Sequence, residues 1–360
     1  MSIASTTKAD FNVPSDVIRF PGFEVSWAGE CPWNEGLCFG TENGYLVTFA
    51  PQSPAIEARA HQLTESGEAI NGIAIAGDLL CASTRADVTL HRLDRRSGEL
   101  SPAGDSYEGG AHGVASTSAG GFIAALGVGG LLLLDADPHG RRSHRVITPN
   151  CGIQNFYKIA YLGSAGLGDV FACALRKGGL LGMTDPLGPG RGSGRINVFP
   201  GLDVVSVCSL RSPDWPLAAA AIGIDRTILL TRDVLGDPTP ETLVFDALEG
   251  TAYSIVSASG HLIVLTDRSL VVFPELANRF LQGEPIDRAK TILRWPVDAV
   301  DVYLAYDRWL LVELPDRVRR IALDALLPQP VAEPVALAPR TLQATPWEVS
   351  SFEFSLASLS

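Results

Sequence analysis

The sequence lacks apolar runs long enough to cross a membrane, and it is poor in positive charge. Its longest apolar runs, such as 131–134 and 217–222, fall far short of the ~20 residues that a membrane-spanning helix needs. Residues 1–11 are polar and contain no apolar stretch of the kind found in a signal peptide. The net charge is −12, which disfavours binding to nucleic acid or to an anionic membrane. We therefore expect a cytoplasmic protein that binds neither nucleic acid nor membrane.

The chain also lacks the composition of a disordered protein. Only 19% of its residues are charged, whereas 46% are hydrophobic, which is enough for a large core. Lysine is scarce, with four lysines against 24 arginines. This bias indicates GC-rich coding and, with it, a bacterial source.

No motif for metal binding is present. The six cysteines include no C-x-x-C pair, and the six histidines are dispersed without metal-ligand spacing. A segment from Asp135 opens like a calcium loop but has Val146 where the loop needs a glutamate. Cys38, Cys81 and Cys173 lie in apolar segments, where a free thiol packs as a small hydrophobic group. We expect reduced thiols, no metal and no cofactor.

Motifs of common enzyme classes are missing as well. The chain has no G-x-S-x-G, no H-E-x-x-H and no phosphate-binding loop. Its glycine-rich segments are 127–130, between two strands, and 188–194, which lacks both dinucleotide-binding spacing and a following helix. The sequence therefore predicts no enzyme activity.

What the sequence does contain is a repeat. Helical periodicity is almost absent outside 274–282, and a strand–turn–strand unit recurs instead. The seven units span 37–49, 80–93, 122–135, 170–183, 218–231, 262–273 and 309–323. The strand after each turn starts 43, 43, 49, 47, 43 and 48 residues beyond the previous one. A period of ~40–45 residues with about four strands per unit is typical of a β-propeller, whose blades bury their faces by stacking in a ring. We predict an all-β, seven-bladed propeller.

A second repeat predicts how the ring closes. Segment 17–27 matches 196–207 and 292–302, in which an outer strand ends at an aromatic residue and a proline. Residues 16–20 are thus an outer strand without a blade of their own, and we expect them to complete the last blade. The predicted organisation is a lead segment (1–15), the propeller (16–325) and a C-terminal linker and tail (326–360).

These units resemble the WD-repeat-like and YVTN/lactonase-like superfamily of seven-bladed propellers over about residues 12–325. The Trp-Asp and Gly-His pairs of true WD repeats are absent from every blade, while 111–126 resembles one blade of the lactonase-like proteins. That resemblance implies either a hydrolase with a central cleft near His112 or a histidine that only caps a strand. A hydrolase of this kind would also need an acid and an arginine converging on the cleft, and the sequence identifies neither.

The C-terminal tail follows a Pro/Ala-rich spacer at 328–340. Trp347 and three further apolar residues occupy 347–354, and aromatic residues are depleted in disordered segments. Two interpretations remain open. The tail either packs on the propeller or recognises a partner.

Basic residues recur at equivalent turns of five of the seven units. They are Arg85, Arg176 with Lys177, Arg226, Arg268 and Arg317. Acids, among them Asp203 and Asp298, precede the first strands of the units. These turns form either surface ion pairs, worth ~0–1 kcal/mol each, or a basic collar that binds an acidic segment of a partner.

The opposite loops carry Trp33 and Trp215, which are candidate interface anchors or loop staples.

We therefore interpret the chain as a non-catalytic scaffold that binds a protein partner. Its candidate contact residues are Arg85, Arg176, Lys177, Arg226, Arg268, Arg317, Trp33, Trp215 and Trp347. The alternative is the lactonase-like hydrolase.

Overall fold

The structure is a computed structural model. It describes residues 15–20, 22–49, 58–64, 67–136, 142–147, 155–164, 168–184, 193–198, 202–236, 241–245, 248–286, 293–315, 317–326, 340–341 and 348–353. Within these ranges the strands form seven antiparallel sheets. Each sheet is one blade of a ring, so the prediction of an all-β, seven-bladed propeller is confirmed.

The first strand, β1 (Asp16–Ile18), precedes the first blade. Blades 1 to 4 then follow in chain order. Blade 1 contains β2 (Val25–Cys31), β3 (Gly36–Thr41), β4 (Tyr45–Phe49) and β5 (Ala58–Gln62). Blade 2 contains β6 (Gly72–Ala76), β7 (Leu79–Ser83), β8 (Asp87–Asp94), β9 (Glu99–Pro102) and β10 (Tyr107–Glu108). Blade 3 contains β11 (Gly113–Ser116), β12 (Phe122–Ala125), β13 (Leu131–Ala136) and β14 (Arg142–Ile147). Blade 4 contains β15 (Phe156–Ser164), β16 (Asp169–Leu175), β17 (Gly179–Thr184) and β18 (Ser193–Val198).

Blades 5 to 7 complete the ring. Blade 5 contains β19 (Val204–Ser209), β20 (Ala219–Gly223), β21 (Ile228–Thr231) and β22 (Glu241–Val244). Blade 6 contains β23 (Ala252–Ala258), β24 (His261–Thr266), β25 (Ser269–Phe273) and β26 (Leu293–Pro296), with helix α1 (Leu276–Leu281) between its last two strands. Blade 7 contains β27 (Asp301–Ala305), β28 (Trp309–Leu314) and β29 (Arg317–Ala322), followed by the short helix α2 (Leu323–Leu326).

The ring closes through its N-terminal strand, as the repeat predicted. Strand β1 pairs antiparallel with β29 and becomes the outer strand of blade 7. The side chain of Ile18 is only 9% exposed and lies in the cluster that contains Val318. The ring of Phe20 packs against Phe39 of blade 1, with 5.0 Å between ring centroids. The first and last blades are thereby joined by backbone pairing and by apolar packing.

Side chains between neighbouring blades form the core. Each of the seven interfaces holds one cluster of buried hydrophobic residues. Strands β12, β16 and β20 are buried along their whole length because blades cover both of their faces. Their near-continuous apolar sequences follow from this double burial.

The two ends of the ring differ in their loops. We define the upper face as the end of the ring that carries the turn between the second and third strands of each blade. The innermost strands also start at this end. In blade 3 this turn places Gly127 at φ +63° and Gly130 at φ +96°, a conformation that favours glycine. This confirms that the glycines at 127–130 serve a hairpin. The end that carries the loops between first and second strands is the lower face.

Two short strands of the C-terminal tail extend the outer edges of two blades. Strand β30 (Arg340–Thr341) pairs with β22 of blade 5, and β31 (Glu348–Glu353) pairs with β18 of blade 4. These pairings support the interpretation that the tail packs on the propeller. Trp347 lies outside the described residues. No helix in the described ranges is long and apolar enough to cross a membrane.

Candidate functional site

A central cleft of about 810 Å³ opens on the upper face. The starts of the innermost strands and the turns of several blades line it together. Its lining includes Glu42, Arg85, His112, Tyr157, Lys158, Arg176, Tyr253, Asp267, Asp298, Asp301, Tyr303 and Glu313. Cavities of ~300–1,000 Å³ are typical ligand sites. We therefore take this central cleft as the candidate functional site.

Basic and aromatic groups from blades 2 to 4 form one wall of the central cleft. The rings of His112 and Tyr157 are 4.8 Å apart between centroids, and the guanidinium of Arg176 lies 5.5 Å from the centroid of Tyr157. Arg85 is exposed at the tip of its turn. Partial desolvation of the ring, followed by the charges of Arg85 and Arg176, lowers the pKa of His112, which is therefore neutral near pH 7.

An ion pair crosses the floor of the central cleft. The Nζ atom of Lys158 in blade 4 lies 2.7 Å from Oδ2 of Asp301 in blade 7. The other carboxylate oxygen of Asp301 accepts a hydrogen bond from the backbone N–H of Val302 at 2.8 Å. Both partners are partly buried, with 28% and 17% of their side chains exposed. The pair therefore connects two blades across the axis of the ring.

Glu313 is the most deeply buried acid of the site, with 2% of its surface exposed. Its Oε2 accepts a hydrogen bond from the Tyr303 hydroxyl at 2.9 Å. Burial, reinforced by the charge of Asp301, raises the pKa of Glu313 to about 8. Burial and the charges of Asp301 and Glu313 likewise raise the pKa of Tyr303. The carboxyl of Glu313 is therefore mostly protonated at neutral pH and can serve as a hydrogen-bond donor.

A second cavity of about 440 Å³ continues along the axis towards the lower face. Lys158 and Tyr303 line both cavities, so they mark the boundary between them. At the lower mouth the guanidinium of Arg211 in blade 5 forms an ion pair with Asp307 in blade 7. Polar contacts thus span the axis at two levels.

The basic residues predicted to form a collar divide into two groups. Arg176 makes a two-pronged hydrogen bond to Asp203 at the start of blade 5, with distances of 2.5 and 3.0 Å, and the backbone N–H of Lys177 adds a third contact at 3.1 Å. Arg226 donates to the backbone oxygen of Leu248 at 2.7 Å. These residues therefore contribute contacts between blades.

Arg85 and Arg268 have exposed side chains on the upper face, and Arg317 is partly buried at the start of β29. Of the predicted basic residues, only Arg85 and Arg176 line the central cleft.

The two tryptophans occupy different environments on the lower face. Trp33 is partly buried, and its indole N–H donates to the backbone oxygen of Gly77 in blade 2 at 2.8 Å. It also lines a separate pocket of about 690 Å³ between blades 1 and 2. Trp215 is 40% exposed, with the Arg232 guanidinium 5.8 Å from its ring centroid. Trp33 therefore fastens a loop, and Trp215 presents surface to solvent.

Among the described residues, no group of three or more His, Cys, Asp or Glu side chains could hold a metal ion. The absence of a metal and of a cofactor stays a prediction.

His112 lies in a polar central cleft, as the hydrolase alternative required, together with an arginine and acids.

Sequence reasoning did not identify the floor of the central cleft. Glu313 interrupts an apolar strand as its only charged residue, and Lys158 is one of four lysines and lies in an innermost strand. Both are local signals that could have drawn attention to these residues. Nothing in the sequence pairs Lys158 with Asp301, because 143 residues separate them.

Comparison with known families gave no match. No family model matches the chain, and no curated protein matches it.

Solved structures share the fold. A catalytically inactive variant of virginiamycin B lyase from Staphylococcus aureus, crystallised with quinupristin, has a TM-score of 0.63 at 10% identity, covering 86% of this chain and 99% of the lyase. The β-propeller domain of Cps50 (Swd1) from Myceliophteria thermophila has a TM-score of 0.57 at 12% identity, covering 86% of this chain and 100% of that domain. At such identities the similarity shows a common fold, and these proteins differ in function from each other.

Proposed function

We propose that the chain is a non-catalytic interaction module that binds a protein partner on its upper face. Exposed apolar side chains beside a charged cleft support this proposal. Val128 is 74% exposed, Val300 52% and Tyr253 41%, and the latter two also line the central cleft. Exposed apolar groups interspersed with arginine and tyrosine are typical of protein interfaces.

Arg85 and Arg268 are the residues that we expect to hold acidic groups of the partner. Both are exposed on the upper face, whereas Arg176 and Arg226 already bond to neighbouring blades. Arginine binds carboxylates through a two-pronged hydrogen bond. An acidic segment of the partner therefore fits the proposal.

Reversing these two charges is expected to weaken partner capture at least about tenfold, because each lost ionic hydrogen bond removes ~1.5–3 kcal/mol. The variant Arg85→Glu/Arg268→Glu and the wild-type protein would be used as baits in lysate of the native host, with quantitative mass spectrometry. The matched control is Arg95→Glu/Arg96→Glu, which makes the same charge change in an exposed turn of the lower face. A true partner is captured by wild type and by the control and lost from the variant, and its capture weakens with salt.

Two other outcomes of the same experiment would contradict binding on the upper face. Capture that survives the charge reversal but is lost with Trp33→Ala or Trp215→Ala would place the interface on the lower face. Loss only after removal of residues 341–360 would make the tail the recognition element.

A second candidate function is hydrolysis of lactones. The observation in its favour is that His112, neutral near pH 7, shares the central cleft with Arg85 and with Glu313. A neutral imidazole can accept a proton, and a guanidinium can stabilise a developing negative charge.

On the primary proposal, a panel of lactones incubated with purified protein is expected to show no turnover above buffer. Turnover that disappears in His112→Ala and persists in Arg95→Glu/Arg96→Glu would favour the hydrolase instead.

We further propose that the protein acts in the cytoplasm. The five described cysteines are all free thiols. They include Cys31 and Cys38 in blade 1, and the Cys38 thiol donates to the backbone oxygen of Glu30 at 3.0 Å. Reduced thiols are typical of a reducing compartment.

A further inference from the structure

The charges of the central cleft are separated by sign. Its basic residues, Arg85, Lys158 and Arg176, come from blades 2 and 4. Its acidic residues come from blades 6, 7 and 1 and the segments between them, namely Glu42, Asp267, Asp298, Asp301 and Glu313. The two sides meet at the floor in the 2.7 Å contact between Lys158 and Asp301. A ligand in this cleft therefore experiences a positive wall and a negative wall.

The negative wall includes the buried carboxyl of Glu313, which accepts its hydrogen bond from a neutral group. Asp301 and Glu313 are directly paired across β27 and β28, so their carboxyl groups lie close together. The ammonium group of Lys158 bonds to Asp301, whereas Glu313 accepts a hydrogen bond from the neutral Tyr303 hydroxyl. Two acids thus share one ammonium group. Burial beside Asp301 accordingly keeps Glu313 protonated up to about pH 8.

A second cation bound here would favour release of the Glu313 proton, and the resulting carboxylate would balance its charge. A primary ammonium group is compact and has three donors, which match the oxygens of Asp301, Tyr303 and Glu313. The opposite wall offers the exposed guanidinium of Arg85 to an anion. One ligand that carries both charges would satisfy both walls.

We propose that the central cleft binds a primary ammonium group of the docked partner segment at Asp301, Tyr303 and Glu313, while a carboxylate of that segment faces Arg85. The inference rests on the proposed function and refines it, because a purely acidic segment would leave the negative wall unmatched. Lysine followed or preceded by an acidic residue, or a free amino terminus, supplies this chemistry.

Small zwitterions test the proposal without the partner. The probe is 6-aminohexanoate, and its controls are hexanoate and hexylammonium, each of which carries one of the two charges. We expect calorimetry at concentrations up to about 20 mM to show millimolar binding of the zwitterion, at least about tenfold tighter than either control. Binding of the ammonium requires the ionised form of Glu313, so affinity is expected to rise about tenfold per pH unit between about pH 6 and 8 and then to level off.

Two variants test which wall binds which charge. Glu313→Gln is expected to bind 6-aminohexanoate at every pH with the low affinity that wild type shows at about pH 6, so the difference between the two proteins is largest above about pH 8. Arg85→Gln is expected to weaken only the probes that carry a carboxylate. Glu108→Gln makes the same chemical change at an exposed site outside the lining of the cleft and should have no effect. Equal affinity for zwitterion and single-charge controls, or no heat from any probe, would overturn the proposal.

Failure of this inference is distinguishable from failure of the proposed function. A partner whose capture depends on Arg85 and Arg268 but is unchanged by Glu313→Gln would retain the docking function and reject the ammonium site. Weaker capture by both variants in lysate adjusted to about pH 8.5, with retention by Glu108→Gln, is the expected result.

Discussion

Deletion of residues 1–20 is expected to lower the melting temperature by about 5–10 °C or more. The deletion removes β1 and with it the three backbone pairings to β29. It also removes the buried Ile18 and the Phe20 ring that packs on Phe39, and each such apolar loss costs ~2–5 kcal/mol. The ring is then left open between blades 7 and 1, with an unpaired edge on β29. Circular dichroism melts measure the effect.

Deletion of residues 1–14 is the matched control, because it ends before the first residue of β1 and retains every contact described for this strand. Its melting temperature should equal that of the full chain. If the protein without residues 1–20 melts at the same temperature as the full chain, β1 does not hold the ring closed.

The substitution Glu313→Gln is expected to stabilise the protein at pH 9 by up to about 5 kcal/mol relative to wild type. The pKa of Glu313 is about 8 in the folded protein, against 4.5 as its ordinary value. A raised pKa means that the folded state holds this proton more tightly than the unfolded state does. The stability contributed by the protonated carboxyl is therefore fully present below about pH 4.5 and is lost as pH rises towards 8. Glutamine keeps an oxygen for Tyr303 and does not ionise.

Urea unfolding of both proteins at several values between about pH 5 and 9 gives the test, since the difference between variant and wild type removes the contribution of all other groups. We expect this difference to grow in favour of the variant as pH rises and to become constant above about pH 8. Glu108→Gln, at an exposed site, should show a difference near zero throughout. A constant difference for Glu313→Gln would show that this carboxyl is already ionised in the folded protein at neutral pH.

The sequence was sufficient to predict the ring because its signals are local. Each blade repeats an apolar strand, a turn and a second apolar strand, and the burial of β12, β16 and β20 follows directly from that pattern. The segment at 274–282, singled out for its helical periodicity, contains α1. The closing role of β1 was also accessible, because residues 16–20 repeat the end of an outer strand.

The central cleft was not predictable in the same way, because residues of all seven blades line it. The five turn residues look alike in sequence, yet Arg176 bonds to Asp203 while Arg85 remains exposed, and only the neighbouring blade decides between these outcomes. Glu313 has the sequence context of a core residue, and its protonation and hydrogen bonding depend on Tyr303 and Asp301 of the adjacent strand. The resemblance to lactonase-like propellers indicated the region of His112 but not the floor of the cleft.

Strands β30 and β31 have a consequence for the symmetry of the molecule. Seven similar blades would give a ring whose seven rotational positions look nearly alike from the side. In the described residues the tail strands add a fifth, outermost strand to two neighbouring blades, 4 and 5, so this sector of the circumference differs from the other blades. A molecule that binds the outer rim can therefore distinguish this sector from the other blades, and its orientation around the ring axis is then defined.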